Sequence, residues 1–385
     1  MALIKINTRS IPDSAVTPAK VSANLGRRNL IINGAMQVSQ RGTTFSETTA
    51  ATYTTDRWLR HIGSSFNLDT TITQSTTVPA GTGFTHSLKV EADAAVTPSG
   101  GENGGIGQRI EGDTVKRLAY GAATGKSATL SFWVRSNKTG IYNVMFGINN
   151  GSSTSSEKYV HVKEYTISAA NTWEHKTILL PANTVQSITT SATEGFRIIW
   201  WLAAGSSDHV SANSWIQSDS YSATSNQVNF MDSASNEWYL TGCQFEIGDT
   251  TTDFEHRSFA EELQLCKRYY QKSFIYSQAP VNGGNTTTNS YNGNITGYCG
   301  SNNSAIYSGG QPLSPEMRAT PTMVTYGNSN GHWGQLIPTN TSTVSYSAGA
   351  GYIGHIRSNG FNVGQNISGN VLMIGFGQWT ADADF

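Results

Sequence analysis

The sequence predicts an all-β protein built around a jelly-roll β-sandwich, and three observations carry that expectation. Apolar and polar residues alternate with a period of two in several segments. Leu130, Phe132 and Val134 alternate with Thr129, Ser131, Trp133 and Arg135. Phe196, Ile198, Trp200 and Leu202 repeat the pattern, as do Trp238, Leu240, Gly242 and Gln244 set against Tyr239, Thr241, Cys243 and Phe245. The connections are Gly- and Ser-rich loops such as Pro98-Ser99-Gly100-Gly101, with no helical pattern between strands, which implies antiparallel pairing rather than βαβ units. Finally, Ser, Thr and Asn number 44, 45 and 30 of 385 residues, while charged residues are 13%. That is half the roughly 25% of an ordinary soluble domain, so the surface is built from hydroxyls and amides.

Along the chain, residues 1–26 stand apart. Ile11, Pro12, Val16 and Pro18 lie among small residues without a period, and the two X-Pro steps favour an extended path. The segment has too few apolar groups to close a core, so it reads as an arm ordered by a partner. Residues 27–257 read as the sandwich, with Asn29 to Ile32 opening its first strand. That span is long for an immunoglobulin-like domain and suits a jelly roll with long loops.

Ser258-Phe259-Ala260-Glu261 is a capping box, in which hydroxyl and carboxylate satisfy two orphan amides. It opens a connecting helix over 258–272 that carries Leu263, Cys266, Tyr269 and Tyr270 and should stop near Lys272. Beyond it the composition changes sharply. Residues 273–385 hold five charged side chains, Glu316, Arg318, Arg357, Asp382 and Asp384, and read as a distal β-rich module.

Several function classes are disfavoured. A net charge of −1 and a pI near 6.7 leave no basic excess to neutralise phosphates, so no nucleic-acid partner is expected. No apolar run approaches the ~18 residues of a spanning helix and mean hydropathy is −0.33, so no membrane insertion is expected. The opening MALIKINTRS lacks the pattern of a secretory signal. Cys243, Cys266 and Cys299 are odd in number and widely spaced, which fits buried thiols better than disulfides or a CxxC metal site. The histidines form no HExxH motif, and neither a metal nor a cofactor is expected.

Two motifs match catalytic patterns by letter only. Gly349-Ala350-Gly351-Tyr352-Ile353-Gly354 spells GxGxxG, but no helix or nearby acid follows, so a glycine-rich hairpin is expected. Gly327-Asn328-Ser329-Asn330-Gly331 spells GxSxG, yet His332 onward starts no helix and the order of partners is wrong for a hydrolase. Glu91, Glu111, Glu246 and Glu255 are the carboxylates a glycosidase could draw upon, but none sits in a local signature, and paired or exposed side chains are expected. No catalytic residue is assigned.

Flat aromatic faces and amides recognise neutral sugars with little charge. The candidates for glycan contact are Trp215 and Tyr221 in the sandwich, and Tyr291, Tyr298, Trp333 and Tyr352 in the distal module. The same aromatics could instead be core, and charge depletion would equally suit subunit packing.

Two strings carry a family resemblance. One is Gly26 to Gly42 (GRRNLIINGAMQVSQRG) with Thr55-Asp56-Arg57-Trp58; the other is Trp238 to Gly248 with Phe254-Glu255-His256-Arg257-Ser258 and Leu265 to Tyr270. Together they resemble bacteriophage tail-fibre or receptor-binding virion appendage proteins. The stretch between, including Gly107 to Glu111 and Ser131 to Arg135, is similar to carbohydrate-binding jelly-roll modules. Residues 10–16 resemble the leading arms of such fibres, and 273–385 match nothing specific. Read as structure, Arg27 to Gly42 would be the first strand and turn, Trp238 to Gly248 the last central strand, and Asp56-Arg57-Trp58 a local ion pair beside a core aromatic.

The resemblance implies a structural and adhesive virion fibre subunit, a homotrimer assembled in the host cytoplasm. Residues 1–26 would dock it to other tail proteins, and residues 273–385 would face a host-surface glycan. It carries no catalytic residues across. The alternatives are a polysaccharide depolymerase and a capsid decoration or adaptor protein.

Overall fold

The computed structural model describes residues 27–47, 51–63, 66–150, 158–218, 223–281, 310–326 and 378–385, together with strands at 294–299, 305–307, 335–338, 345–346, 352–366 and 371–376. The expected all-β class is observed. Residues 44–247 form thirteen strands: β1 (Thr44–Glu47), β2 (Thr52–Tyr53), β3 (Leu59–Gly63), β4 (Thr70–Ser75), β5 (Ser87–Ala92), β6 (Asn103–Glu111), β7 (Ala128–Ser136), β8 (Gly140–Asn149), β9 (Lys158–Ile167), β10 (Glu174–Leu180), β11 (Glu194–Ala204), β12 (Trp215–Gln217) and β13 (Glu237–Ile247). They make two antiparallel sheets, ordered β1-β4-β5-β13-β7-β10 and β12-β9-β8-β11-β6-β3-β2. Consecutive strands repeatedly cross from one sheet to the other, as in a jelly roll.

The alternation read in the sequence builds the core between the sheets. Leu130, Phe132 and Val134 from β7 meet Phe196, Ile198, Trp200 and Leu202 from β11, and all are buried. Trp200 lies edge-on to Phe132 at 5.6 Å and tilted against Trp58 at 5.6 Å. The other face of β11 buries Ile199 and Trp201 in a smaller cluster with Met145, Val160 and Val162.

Strand β13 departs from the simple alternation. Its core-facing residues are Trp238, Leu240, Cys243 and Phe245, so the period slips by one residue in the middle. The cause is a bulge between Thr241 and Gln244, where Gly242 takes a φ of 62°. An extra residue in a strand turns every later side chain to the opposite face. Expecting Gly242 and Gln244 on the face of Trp238 is therefore corrected.

The expected strand at Asn29–Ile32 is also corrected. Residues 27–43 form bends and turns, although most are buried. They run along β13 without a ladder, because the Asn29 side chain replaces backbone pairing. It donates to Cys243 O (2.9 Å) and accepts from Phe245 N (3.0 Å), while Leu30 N donates to Phe245 O (2.8 Å). Positive φ at Asn33 (58°) and Met36 (55°) then breaks any extended path. Gly34 is required here, since a Cβ would sit 2.1 Å from Cys243 O.

The helix spans Phe259–Lys267, and the Ser258–Glu261 capping box forms in both directions. It ends earlier than expected. Tyr270–Lys272 is a strand, β14, which pairs with the C-terminal strand Gln378–Asp382. That strand also pairs with Thr322–Tyr326, giving a three-stranded sheet beside the helix. The letter match to GxGxxG continues into strand Tyr352–Arg357, hairpin-paired with Gly360–Asn366 and followed by no helix. The GxSxG match lies outside the described residues.

Candidate functional site

The two strings that carry the family resemblance fold against each other. Glu255 accepts from Arg27 N (2.8 Å) and Asn29 N (2.7 Å), and Arg257 donates to Asn29 O (2.7 Å). Trp58 Nε1 donates to Asn33 O at 2.9 Å. These residues serve the fold, in line with their structural reading. The expected local ion pair does not form: Asp56 is bonded by the Gln40 side chain (2.8 Å), and Arg57 pairs with Asp384, 327 residues away. Arg57 also lies over the Tyr269 ring at 3.4 Å.

A cleft of about 530 Å³ with mixed polar and apolar walls opens where strand Gln378–Asp382 returns to β14. Its origin is the two-residue period of the three-stranded sheet. Thr322 pairs with Asp382 and Val324 with Thr380, so these side chains share one face with Tyr326 and with Tyr270, which pairs with Asp382 from the other side. The opposite face sends Met323, Trp379 and Ala381 into a second apolar cluster with Leu313, Met317 and Phe361.

Arg41 closes one wall of the cleft. Its guanidinium stacks on Tyr270 at 3.8 Å and donates to Asp382 (2.9 Å) and Asp384 (2.8 Å). Burial opposes its charge, yet Asp384, Asp382 and Asp56 outweigh that and raise its pKa. Burial raises the Tyr270 phenol as well, against the opposing pull of Arg41. The Asp382 side chain is 41% exposed, whereas Asp384 is 2% exposed. The cleft therefore offers one accessible carboxylate, an exposed Thr322, an exposed Val324 and the half-buried Tyr326 ring. That is a set of hydrogen-bonding groups beside an apolar face, suited to a ligand that alternates hydroxyls with C–H surface. Both carboxylates pair with the same guanidinium.

The sequence-predicted residues lie elsewhere. Trp215 sits half-buried on the edge strand β12, its Nε1 donating to Pro181 O (3.1 Å), edge-on to Tyr120 (5.8 Å) and His161 (5.1 Å). It packs against the main core. Tyr298 is on strand Asn294–Cys299 opposite Leu372, and Tyr352 is opposite Gly364. Tyr221, Tyr291 and Trp333, like the arm residues Ile11, Pro12, Val16 and Pro18, lie outside the described residues. Sequence reasoning passed over Arg41, Tyr270, Tyr326 and Asp382. The available signal was the pair Asp382 and Asp384 closing a charge-poor segment.

The four glutamates considered for hydrolysis are all partnered. Glu91 meets Lys89 (2.7 Å), Glu111 takes Arg268 (2.8 and 2.7 Å), Glu246 accepts from Gln244 (2.9 Å) and Thr252 (2.7 Å), and Glu255 bonds the N-terminal segment. Cys243 and Cys266 are buried free thiols, and burial pushes both well above the ordinary thiol range. Among the described residues, no group of three or more His, Cys, Asp or Glu side chains could hold a metal ion.

The chain is thus an all-β protein with a jelly-roll sandwich and a further three-stranded sheet at its base. No family model and no curated protein matches it. Several solved structures do. The enzymatically active domain of tailspike protein 4 of bacteriophage CBA120 is 11% identical with a TM-score of 0.30, over 57% of this chain and 21% of that one. The C-terminal family 22 carbohydrate-binding module of Clostridium thermocellum Xyn10B is 10% identical with a TM-score of 0.28, over 55% and 98%. The CBM22-2 xylan-binding domain of Paenibacillus barcinonensis Xyn10C is 12% identical with a TM-score of 0.29, over 50% and 91%. The chain spans about a fifth of the length of that tailspike domain.

Proposed function

We propose that the chain is an adhesive, non-enzymatic subunit of a phage virion fibre that recognises a neutral host-surface glycan in the cleft between β14 and strand Thr322–Tyr326. The observation that carries the glycan reading is the grouping of Tyr326, Thr322 and the accessible Asp382 carboxylate around one concavity, with Arg41 fixed behind them. Arg41 is already held by Asp382 and Asp384, so it is not open to the carboxylate of an acidic sugar, which favours a neutral ligand here. The virion role draws on the resemblance of the strings at 26–42 and 238–270, and a homotrimer with residues 1–26 as the docking arm belongs to that role.

A glycan array with the purified chain, followed by calorimetry on the tightest neutral oligosaccharide, tests the reading. Tyr326→Ala should weaken binding at least about tenfold, a stacking contribution of about 1.4 kcal/mol or more. Unchanged affinity would remove this cleft from the site. Sustained release of reducing ends from envelope polysaccharide would replace adhesion with depolymerisation. Light scattering should give three times 41.4 kDa. A chain lacking 1–26 should still bind cells but fail to join particles.

A further inference from the structure

The five charged side chains of residues 273–385 are unevenly used. Asp382 and Asp384 hold Arg41. Arg318 donates to Ala383 O (2.8 Å), Ala192 O (3.0 Å) and Asp384 O (3.2 Å) and lies over the Phe385 ring at 4.0 Å. Glu316 accepts from Ser358 Oγ at 2.6 Å. Arg357 remains: it is exposed, and no carboxylate among the described residues pairs with it.

Arg357 lines a second concavity, of about 450 Å³, together with Gln311, His355, Asn359, Asn362 and the buried Phe361. Its walls are fixed by the backbone. The hairpin tip is tied down where Leu313 N donates to Asn359 O (3.0 Å) and Met317 N to Ser358 O (2.7 Å). Gly360 packs so closely that a Cβ would lie 2.7 Å from Gln311 O. A bulge lies between Gly354 and Arg357, and within it His355 holds a φ of 51°, costly for a residue with a Cβ. The bulge thereby sets the direction of the chain into Arg357.

We infer that this hairpin cleft is a second glycan subsite, which takes the oxyanion of an acidic sugar residue on Arg357 and its hydroxyls on the surrounding amides. A guanidinium fork matches a planar carboxylate with two parallel hydrogen bonds and also accepts sulfate. Asn359 and Asn362 supply both donors and acceptors for neighbouring hydroxyls. In the cleft between β14 and Thr322–Tyr326 the guanidinium of Arg41 is already held by Asp382 and Asp384, so the two clefts differ in the charge they offer a sugar. The inference shares with the proposed function only the class of ligand.

The test is calorimetry on the full chain with tetragalacturonate, with its methyl ester, and with a sulfated galactan tetrasaccharide. The acidic tetrasaccharide should bind at least about fivefold tighter than the ester, and raising salt from 50 to 500 mM should erode the difference. Preference for carboxylate over sulfate, or the reverse, identifies the oxyanion. Arg357→Gln, on an exposed position, should abolish the preference, while Tyr326→Ala should leave it intact. Equal binding of acid and ester, no binding of either acidic ligand, or a preference that survives Arg357→Gln would each overturn the inference. Loss of neutral-glycan binding alone would count against the first cleft and leave this one standing.

Discussion

Arg57 and Asp384 form a buried ion pair that joins the third strand's approach to the last residues of the chain, with side chains 1% and 2% exposed. Tyr269 covers the guanidinium from the helix side, and Arg109 Nη1 donates to Phe385 O at 3.1 Å. Asp384 and Phe385 are in this way built into the base of the sandwich.

Removing Asp384 would leave the Arg57 guanidinium, which stays protonated, buried without its carboxylate partner. Asp384→Ala should therefore cost about 3–5 kcal/mol in urea unfolding. Asp382→Ala, at a side chain 41% exposed, should cost less than about 1 kcal/mol. Equal losses would mean that burial does not set the difference.

Gly242 combines a φ of 62° with a crowded site, where a Cβ would meet the Phe84 ring at 2.6 Å. Gly242→Ala should destabilise by about 3 kcal/mol, from left-handed strain plus overpacking. Gly81 has a φ of 75° with nothing within 4 Å of its Cβ position. Gly81→Ala should therefore cost only the backbone part, about 1 kcal/mol. Thermal melts of the two variants separate the contributions.

His61 is buried beside Trp201, ring centroids 5.4 Å apart, and burial followed by the charges of Arg197 and Arg109 pushes its imidazole down to about 3. The unfolded chain protonates this residue near 6.5, so between 6.5 and 3 it binds more protons than the fold. Stability is complete above pH 6.5 and is lost as pH falls through that window, by about 2 kcal/mol at pH 5 from His61 alone. His161, pushed down to about 4 by burial and Lys163, adds to the same slope. Urea midpoints from pH 7 to 5 should fall, and His61→Gln should flatten the decline.

Cys243 and Cys266 are fully buried and hard to ionise. Neither should react with a thiol reagent in the native protein, and peptide mapping should find both labelled once urea unfolds it. Fast native labelling at Cys266 would mean that the helix opens locally.

The alternation along Leu130–Val134 and Phe196–Leu202, the capping box at Ser258 and the connections without helices were legible directly, since each depends on residues a few positions apart. That was enough for the all-β class and for most of the core-facing residues. In β13 the pattern could be read but not its slip, because Gly242 is compatible with either face and only its backbone angle turns Cys243 and Phe245 inward. Asn29 to Ile32 has strand-like composition, yet the Asn29 side chain took over the hydrogen bonds that a ladder would have made.

The candidate site was less legible, for a related reason. Aromatic residues in a β-protein look alike in sequence whether they face solvent or core, so Trp215 stood out although it packs against the core from the edge strand β12. By itself the sequence determined the local periods, the caps and the scarcity of charge beyond residue 272. Tertiary structure alone decided which of those few charges meet: Arg41 with Asp382 and Asp384, Arg57 with Asp384, and Arg357 with no carboxylate among the described residues. The periods follow from backbone geometry over two to four residues. The pairing of charges more than three hundred residues apart follows from how the sheets close, which brings the last strand back against β14.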